Sequence, residues 1–235
     1  MRSSGSVGMC RKVICMVNVQ RVSLELRTCP AYFAFMKKMT KNRQRLRGDR
    51  VSDPFAREYF NAMYGWEGVV RHLLSSCLQS CPERILSYWD SNSLWHQQFR
   101  EIDFVGGTSD SPSIFVEIKT RSLSALCKDG SGWGQLYKSL DIARVRWPNV
   151  GGFCVNVAMG DILGTEPECP FCVPLPQTAS ELLERAKEEI VWFRGREVAD
   201  YAIEIGAYTA DEIAQLPILR SQMNNPMQVL QEPSS

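Results

Sequence analysis

Apolar and polar residues alternate along two adjacent stretches in the middle of the chain. The second stretch, Ile114 to Thr120, places Phe115, Glu117 and Lys119 on one face and three apolar side chains on the other, because strand side chains alternate with a period of two. The first stretch, about Leu94 to Val105, alternates in the same way. Residues 106–113 are rich in Gly and Ser and predict a turn between them. Two strands that can form a hairpin are therefore expected.

A long amphipathic helix is predicted before these strands. It begins at Ser52-Asp53-Pro54, because a capping side chain precedes a proline in the first turn, and it runs to about Cys77–Ser80. Glu67 lies within its apolar stripe, where a lone carboxylate is costly unless it is paired, protonated or bound to a metal. The alternative is that a small twist lets Glu67 reach solvent. The stripe consists of Tyr59, Phe60, Met63, Val70, Leu74, Cys77 and Leu78.

The rest of the chain alternates between strand and helix. A short apolar segment, Ile85 to Trp89, precedes the hairpin. After the hairpin come a helix from about Gly134 to Trp147, which Pro148 ends, and a buried strand from Gly151 to Ala158. A Glu-rich helix is predicted from Ala179 to about Gly206, and the tail from Pro217 is expected to be poorly ordered. This order of elements predicts an α/β fold.

Composition bounds the environment of the protein. The 235 residues, 44% of them hydrophobic, are enough for one core with appendages. No apolar run reaches the roughly 18 residues of a membrane span, so no membrane segment is expected. The nine cysteines are odd in number and mostly fall in apolar patterns, which indicates free thiols in an intracellular, reducing compartment, cytoplasmic or nucleoid-associated. Cys169 and Cys172 have zinc-knuckle or redox spacing without a second pair, and Cys154 could add a third ligand.

Charge is distributed unevenly along the chain. Residues 1–50 carry twelve Lys or Arg against Glu25 and Asp49, a net charge of +10, and residues 51–235 carry a net charge of −9. A basic arm of this kind favours a nucleic-acid partner. Two alternatives remain for the first 50 residues: an organellar targeting segment, or a solvated and disordered leader.

The hairpin concentrates the candidate chemistry. Glu117 and Lys119 share a face, and Asp103 lies opposite them if the two strands pair. Asp103, Glu117 and the carbonyl of Ile118 would supply the oxygen ligands that Mg²⁺ or Mn²⁺ prefers. Lys119 would then orient or deprotonate a water for in-line attack on a phosphodiester. Glu67 could bind a second ion or reach the first through water.

Two alternatives weaken this assignment. Glu101 shares the face of Asp103 and competes with it, although Asp103 lies closer to the turn and level with Glu117. Glu117 and Lys119 could also decorate a solvated sheet face, where such a pair contributes little.

The order of a helix, strands with Asp and then Glu-x-Lys, a helix and a strand resembles the PD-(D/E)XK nuclease superfamily over about residues 52–158. The resemblance implies a restriction-endonuclease-like fold, with a central mixed sheet of four to five strands flanked by helices in αβββαβ order. It implies a Mg²⁺-dependent deoxyribonuclease, with Asp103, Glu117 and Lys119 in the catalytic positions. It also matches Glu67 to an acid from the first helix and Gln135 to a glutamine that opens the second. Ile102 stands where many members have proline.

The expected partner is DNA, with no membrane, and a homodimer or a larger nucleic-acid-processing complex is compatible with the sequence. The expected divisions are a basic extension (1–50), a nuclease core (51–160), an acidic helical part (161–216) and a flexible tail (217–235). Trp133 could stack on a base, or be buried. The alternatives to a nuclease are an inactive member of the same fold that binds nucleic acid or protein, and a scaffold that docks through its acidic helix. Candidate DNA contacts are Arg121, Lys128, Lys138, Arg144 and Arg146.

Overall fold

Twelve helices and strands succeed one another in the computed structural model, which describes residues 19–47, 54–93, 97–121, 132–163 and 169–216. Of residues 41–47, 54–64 and 121 only the backbone is described. The elements are β1 (Val19–Glu25), α1 (Pro30–Arg47), α2 (Pro54–Cys77), β2 (Ile85–Asp90), β3 (Gln97–Glu101), β4 (Phe104–Gly107), β5 (Pro112–Arg121), α3 (Trp133–Ala143), β6 (Gly151–Ala158), α4 (Ala179–Ala186), β7 (Ile190–Arg194) and α5 (Gly195–Glu204). Residues 210–216 are also helical.

The larger of two sheets has four strands in the order β4-β5-β6-β7. The predicted hairpin is confirmed: β4 and β5 are antiparallel, with Phe104 paired to Val116 and Val105 to Phe115. β5 and β6 run parallel, as do β6 and β7, and α3 makes the crossover between β5 and β6. The fold is therefore mixed α/β, as the order of elements predicts.

The single long strand predicted from about Leu94 to Val105 is wrong. Residues 94–96 lie outside the described residues, and β3 ends at Glu101, with two residues between it and the start of β4 at Phe104. β3 belongs to a separate antiparallel sheet of three strands, in the order β1-β2-β3. The backbone bends at residues 102–103, between the two strands. Arg84 stabilises this bend, because it donates hydrogen bonds to the carbonyl oxygens of both Ile102 and Asp103. Asp103 is thus a hinge between two sheets and not the end of one strand.

Each face of the four-stranded sheet carries its own core. On one face α2 contributes Trp66, Val70 and Leu74 to a cluster with the inward side chains of β5, β6 and β7. On the other face α3 contributes Leu136 and Leu140. The predicted start of α2 at Pro54 and the predicted strand Gly151 to Ala158 are confirmed. Because alternate residues of β5 enter alternate cores, this strand is buried on both sides.

The predicted helix from Ala179 to about Gly206 is wrong. It is divided into α4, β7 and α5, and β7 completes the larger sheet. Val191 and Phe193 are buried with the period of two that a strand requires, but β7 is only five residues long and follows Glu188 and Glu189 directly. α5 then returns Val198 and Ala202 to the α2 core. The expected acidic helical part is therefore built into the same core as α2.

Part of the expected basic extension, residues 1–50, forms regular secondary structure. β1 pairs antiparallel with β2 and buries Val22 and Leu24, and α1 follows it. Residues 1–18, 48–53 and 217–235 lie outside the described residues. No helix within the described ranges is both long and apolar enough to cross a membrane.

Candidate functional site

The Asp103 side chain continues the β4–β5 ladder where the backbone leaves it. Phe104, the first residue of β4, pairs with Val116, and Asp103 Oδ2 accepts a hydrogen bond of 2.8 Å from the backbone nitrogen of Ile118. In a strand the N–H and C=O of one residue face the same neighbour, so the carbonyl of Ile118 also points to this edge. Asp103 and the Ile118 carbonyl are therefore brought to one side of β5.

Glu117 is buried and Lys119 is half-buried beside it on the same face of β5. Glu117 is only 3% exposed, and Lys119 Nζ donates to Glu117 Oε1 at 2.5 Å. The alternative of a solvated acid–lysine pair is wrong for these residues. A buried pair is retained for its geometry or its chemistry, because removing both charges from water offsets much of their attraction.

Glu67 joins this group from α2. Burial and then the negative charge of Asp103 raise the pKa of Glu67 to about 7, while Lys119 and Arg71 oppose the rise. Burial and Asp103 likewise raise the pKa of Glu117 to about 7, and burial raises that of Asp103. Burial disfavours the Lys119 cation, yet Glu117, Asp103 and Glu67 together raise its pKa. Three carboxylates thus share one ammonium, an excess of negative charge that a divalent cation would neutralise.

The donor set suits a hard cation. Two carboxylates and a backbone carbonyl are a sufficient protein ligand set for Mg²⁺, which keeps several waters. Within the described ranges, no three His, Cys, Asp or Glu side chains cluster as a ready metal site. The candidate set needs only two such side chains, and the Lys119 ammonium now holds one oxygen of Glu117.

Two arginines that sequence patterns do not single out fix the Asp103 bend. Arg71 on α2 and Arg84 before β2 donate to the Asp103 carbonyl oxygen at 3.1 and 2.9 Å. Burial, and then the charge of Arg71, lower the pKa of Arg84. These cations lie beside the acid cluster and would partly balance its charge.

Glu101, the competing candidate, is engaged elsewhere. It lies in β3 of the three-stranded sheet, where Tyr32 Oη donates to it at 3.0 Å and Arg27 and Arg84 pair with it at 3.4 and 3.6 Å. Burial and Glu101 raise the pKa of Tyr32 to about 12. These contacts give Glu101 a role in packing α1 and the smaller sheet.

The start of α3 closes over the site through Gly132, which the sequence did not single out. This residue has φ of 79°, and a Cβ placed on it would lie 2.9 Å from Glu117 Cγ and 3.0 Å from Lys119 Cε. Gln135, expected to act near the site, is exposed in the first turn of α3. Its carbonyl accepts from Arg100 and Ser139, and no described contact joins its side chain to the acids.

The predicted DNA contacts are spread along α3. Lys138 is exposed on the helix. Arg144 and Arg146 follow its end, roughly 18 Å from Gly132 at 1.5 Å per residue, and donate to the carbonyls of Val150 and Val22. The Arg121 side chain and Lys128 lie outside the described residues.

Of the other candidate residues, Cys154 alone is paired in register with one of the acids. Trp133 is half-buried and edge-on to Tyr137. Cys154 is paired in register with Glu117, whereas the electrostatic neighbours of Cys172 are Cys169, Arg194 and Asp161. In the described part of the chain no three-ligand group forms around Cys169 and Cys172.

Comparison with known proteins assigns the chain to no family. No family model matches the chain, and no curated protein matches it. The crystal structure of protein VC1899 from Vibrio cholerae is similar at 12% identity and a TM-score of 0.27 over 60% of this chain. The similar region spans 31% of that protein. Similarity at this level carries no conclusion about fold or function.

Proposed function

We propose that this protein is a metal-dependent nuclease that hydrolyses phosphodiester bonds of DNA. The observation that carries the proposal is the group of Asp103, Glu117 and Lys119 at the point where β4 leaves the edge of β5, with Glu67 of α2 as an electrostatic neighbour. Asp103, Glu117 and the Ile118 carbonyl would hold Mg²⁺ or Mn²⁺. Like charges that are buried together, and that Lys119 and Arg71 only partly offset, are typical of functional sites.

The arrangement of elements supports a restriction-endonuclease-like fold as part of this proposal. A helix, an antiparallel hairpin that carries Asp and then Glu-x-Lys, a crossover helix and a parallel strand occur in the order that the resemblance implies. Strands β2 and β3, which also lie between α2 and α3 in the sequence, belong to a separate three-stranded sheet, and β7 extends the larger sheet beyond β6.

The protein groups would divide the chemistry between them. A bound divalent cation would supply charge stabilisation for the developing phosphoryl oxyanion. The Ile118 N–H fixes the Asp103 carboxylate, and Lys119 would orient the attacking water when Glu117 no longer holds its ammonium. Glu67, with a pKa near neutrality, is suited to accept a proton from that water or to contact the cation.

Cleavage assays test the proposal. Supercoiled plasmid and linear DNA are incubated with Mg²⁺ or Mn²⁺ and with wild type, Asp103→Ala or Lys119→Ala. Lys187→Ala is the matched control, because Lys187 also pairs with a glutamate but is exposed at the end of α4. Loss of cleavage in both site variants and not in the control is expected. Cleavage that survives both substitutions would reject the site. DNA binding without cleavage by any variant would favour a binding module. The absence of both DNA binding and cleavage would favour a scaffold.

A further inference from the structure

Asn156 on β6 is buried without hydrogen-bond partners. Its side chain is 0% exposed, and both Oδ1 and Nδ2 lack a partner. Of the buried side-chain atoms unpaired in the described part of the chain, Trp66 Nε1 and Arg194 Nε are the others. An orphaned amide is costly in a core, so its retention indicates that another state of the protein uses it.

The neighbours of Asn156 show which state that is. Asn156 is paired in register with Lys119 of β5 on one side and with Trp192 of β7 on the other. Adjacent strands lie about 4.8 Å apart and register partners face the same side of the sheet. The amide therefore lies on the face of Glu117 and Lys119, next to the lysine.

The Lys119 ammonium needs a second acceptor if Glu117 binds a cation. In this structure Lys119 Nζ donates to Glu117 Oε1. A divalent cation on Glu117 would withdraw that negative charge and repel the ammonium across a few ångströms of buried space. The Lys119 side chain is only 16% exposed, so a move of its ammonium into bulk water would give up most of its present packing. Asn156, the register partner of Lys119 on β6, supplies an amide oxygen that no described donor engages.

We propose that Asn156 is a positioning residue whose Oδ1 receives the Lys119 ammonium when Glu117 binds a divalent cation. The inference rests on the cation-binding role of Glu117 in the proposed function. The Asn156 amide would hold Lys119 beside the reacting water. It would also keep the Lys119 ammonium from competing with the cation for Glu117. Leucine at position 156 would keep the volume and remove the acceptor.

The test measures binding of Mn²⁺ alone to the full chain by isothermal titration calorimetry, without DNA. Asn156→Leu is expected to weaken Mn²⁺ binding roughly tenfold, because Lys119 keeps competing for Glu117. In a Lys119→Met background the same substitution is expected to change the affinity less than about twofold. Asn156→Asp retains an acceptor and is expected to bind Mn²⁺ at least as tightly as wild type. Cys154→Ala, two residues away on the same face of β6, controls for strand packing.

Several outcomes would overturn the proposal. An equal loss of affinity in the wild-type and Lys119→Met backgrounds would show a merely structural role, and unchanged affinity in Asn156→Leu would remove the role altogether. Asn156→Ala carries the same predictions if thermal melting shows that the leucine variant does not fold. Absence of Mn²⁺ binding by wild type would also reject it. Coupling of Asn156 to Lys119 in a protein that cuts no DNA would support this inference and reject the nuclease, whereas cleavage without coupling would do the reverse.

Discussion

Asp103 Oδ2 lies 2.8 Å from the backbone nitrogen of Ile118, in the place that a carbonyl of β4 would take if that strand continued. The Asp103 side chain therefore has two roles. It accepts a hydrogen bond from the Ile118 N–H of β5, and it brings a carboxylate to the Ile118 carbonyl and Glu117. Asparagine at this position separates the two roles, because it retains an acceptor oxygen but not the charge.

The first prediction compares Asp103→Asn with Asp103→Ala. The alanine variant leaves the Ile118 N–H without its acceptor and is expected to lose about 1–2 kcal/mol of unfolding free energy, while the asparagine variant stays within about 0.5 kcal/mol of wild type. Both are expected to lose DNA cleavage by roughly 100-fold or more, because neither carries the charge that a cation requires. Urea denaturation and plasmid nicking measure the two effects. Full cleavage by the asparagine variant would contradict a metal-ligand role.

The second prediction concerns the pH dependence of stability. The pKa of Glu67 is raised from an ordinary 4.5 to about 7, so between these values the native state binds more protons than the unfolded state. The contribution of Glu67 is therefore fully present below pH 4.5 and is lost as pH rises through 7. The free energy of unfolding of wild type is therefore expected to fall as pH rises from 5 to 8. Glu67→Gln is expected to make this fall smaller by roughly 1–2 kcal/mol, measured by urea denaturation without divalent cations. A decline of the same size in both proteins would show that Glu67 is not buried beside the other acids.

The third prediction concerns cation binding. Mn²⁺ at about a hundred times its Kd is expected to raise the melting temperature of wild type by roughly 5–10 °C at pH 7.5, because it binds only the native state. Glu117→Gln should abolish the shift. Glu101→Gln is the matched control: this acid sits in the neighbouring sheet with Tyr32, Arg27 and Arg84, and its loss should leave the shift intact. A shift that persists in Glu117→Gln and vanishes in Glu101→Gln would exchange the two assignments.

Sequence patterns predicted some elements of this fold and some residues of the site, and they missed others. The hairpin and α2 were predictable because a period of two, a polar turn and a Ser-Asp-Pro start are local signals. The strand β7 was not, because four consecutive apolar residues between Glu189 and Arg194 are too few to show a period. The relation of Lys119 to Asn156 depends on parallel register across α3, which no local pattern encodes. The acids on the hairpin could be named in advance, whereas the residues that position them could not.

The last prediction concerns Gly132, whose backbone at φ 79° is unfavourable for any other residue and whose missing Cβ leaves room for Glu117 and Lys119. Gly132→Ala is expected to cost about 1–2 kcal/mol for the left-handed backbone alone. It should also reduce DNA cleavage more than tenfold, because a methyl group 2.9 Å from Glu117 Cγ displaces the pair. Gly134→Ala is the control, since it lies two residues into α3 with nothing within 4 Å of its added Cβ, and it should gain about 0.5–1 kcal/mol. Denaturation and cleavage assays on both variants decide the matter, and equal cleavage by the two would show that the start of α3 does not support the site.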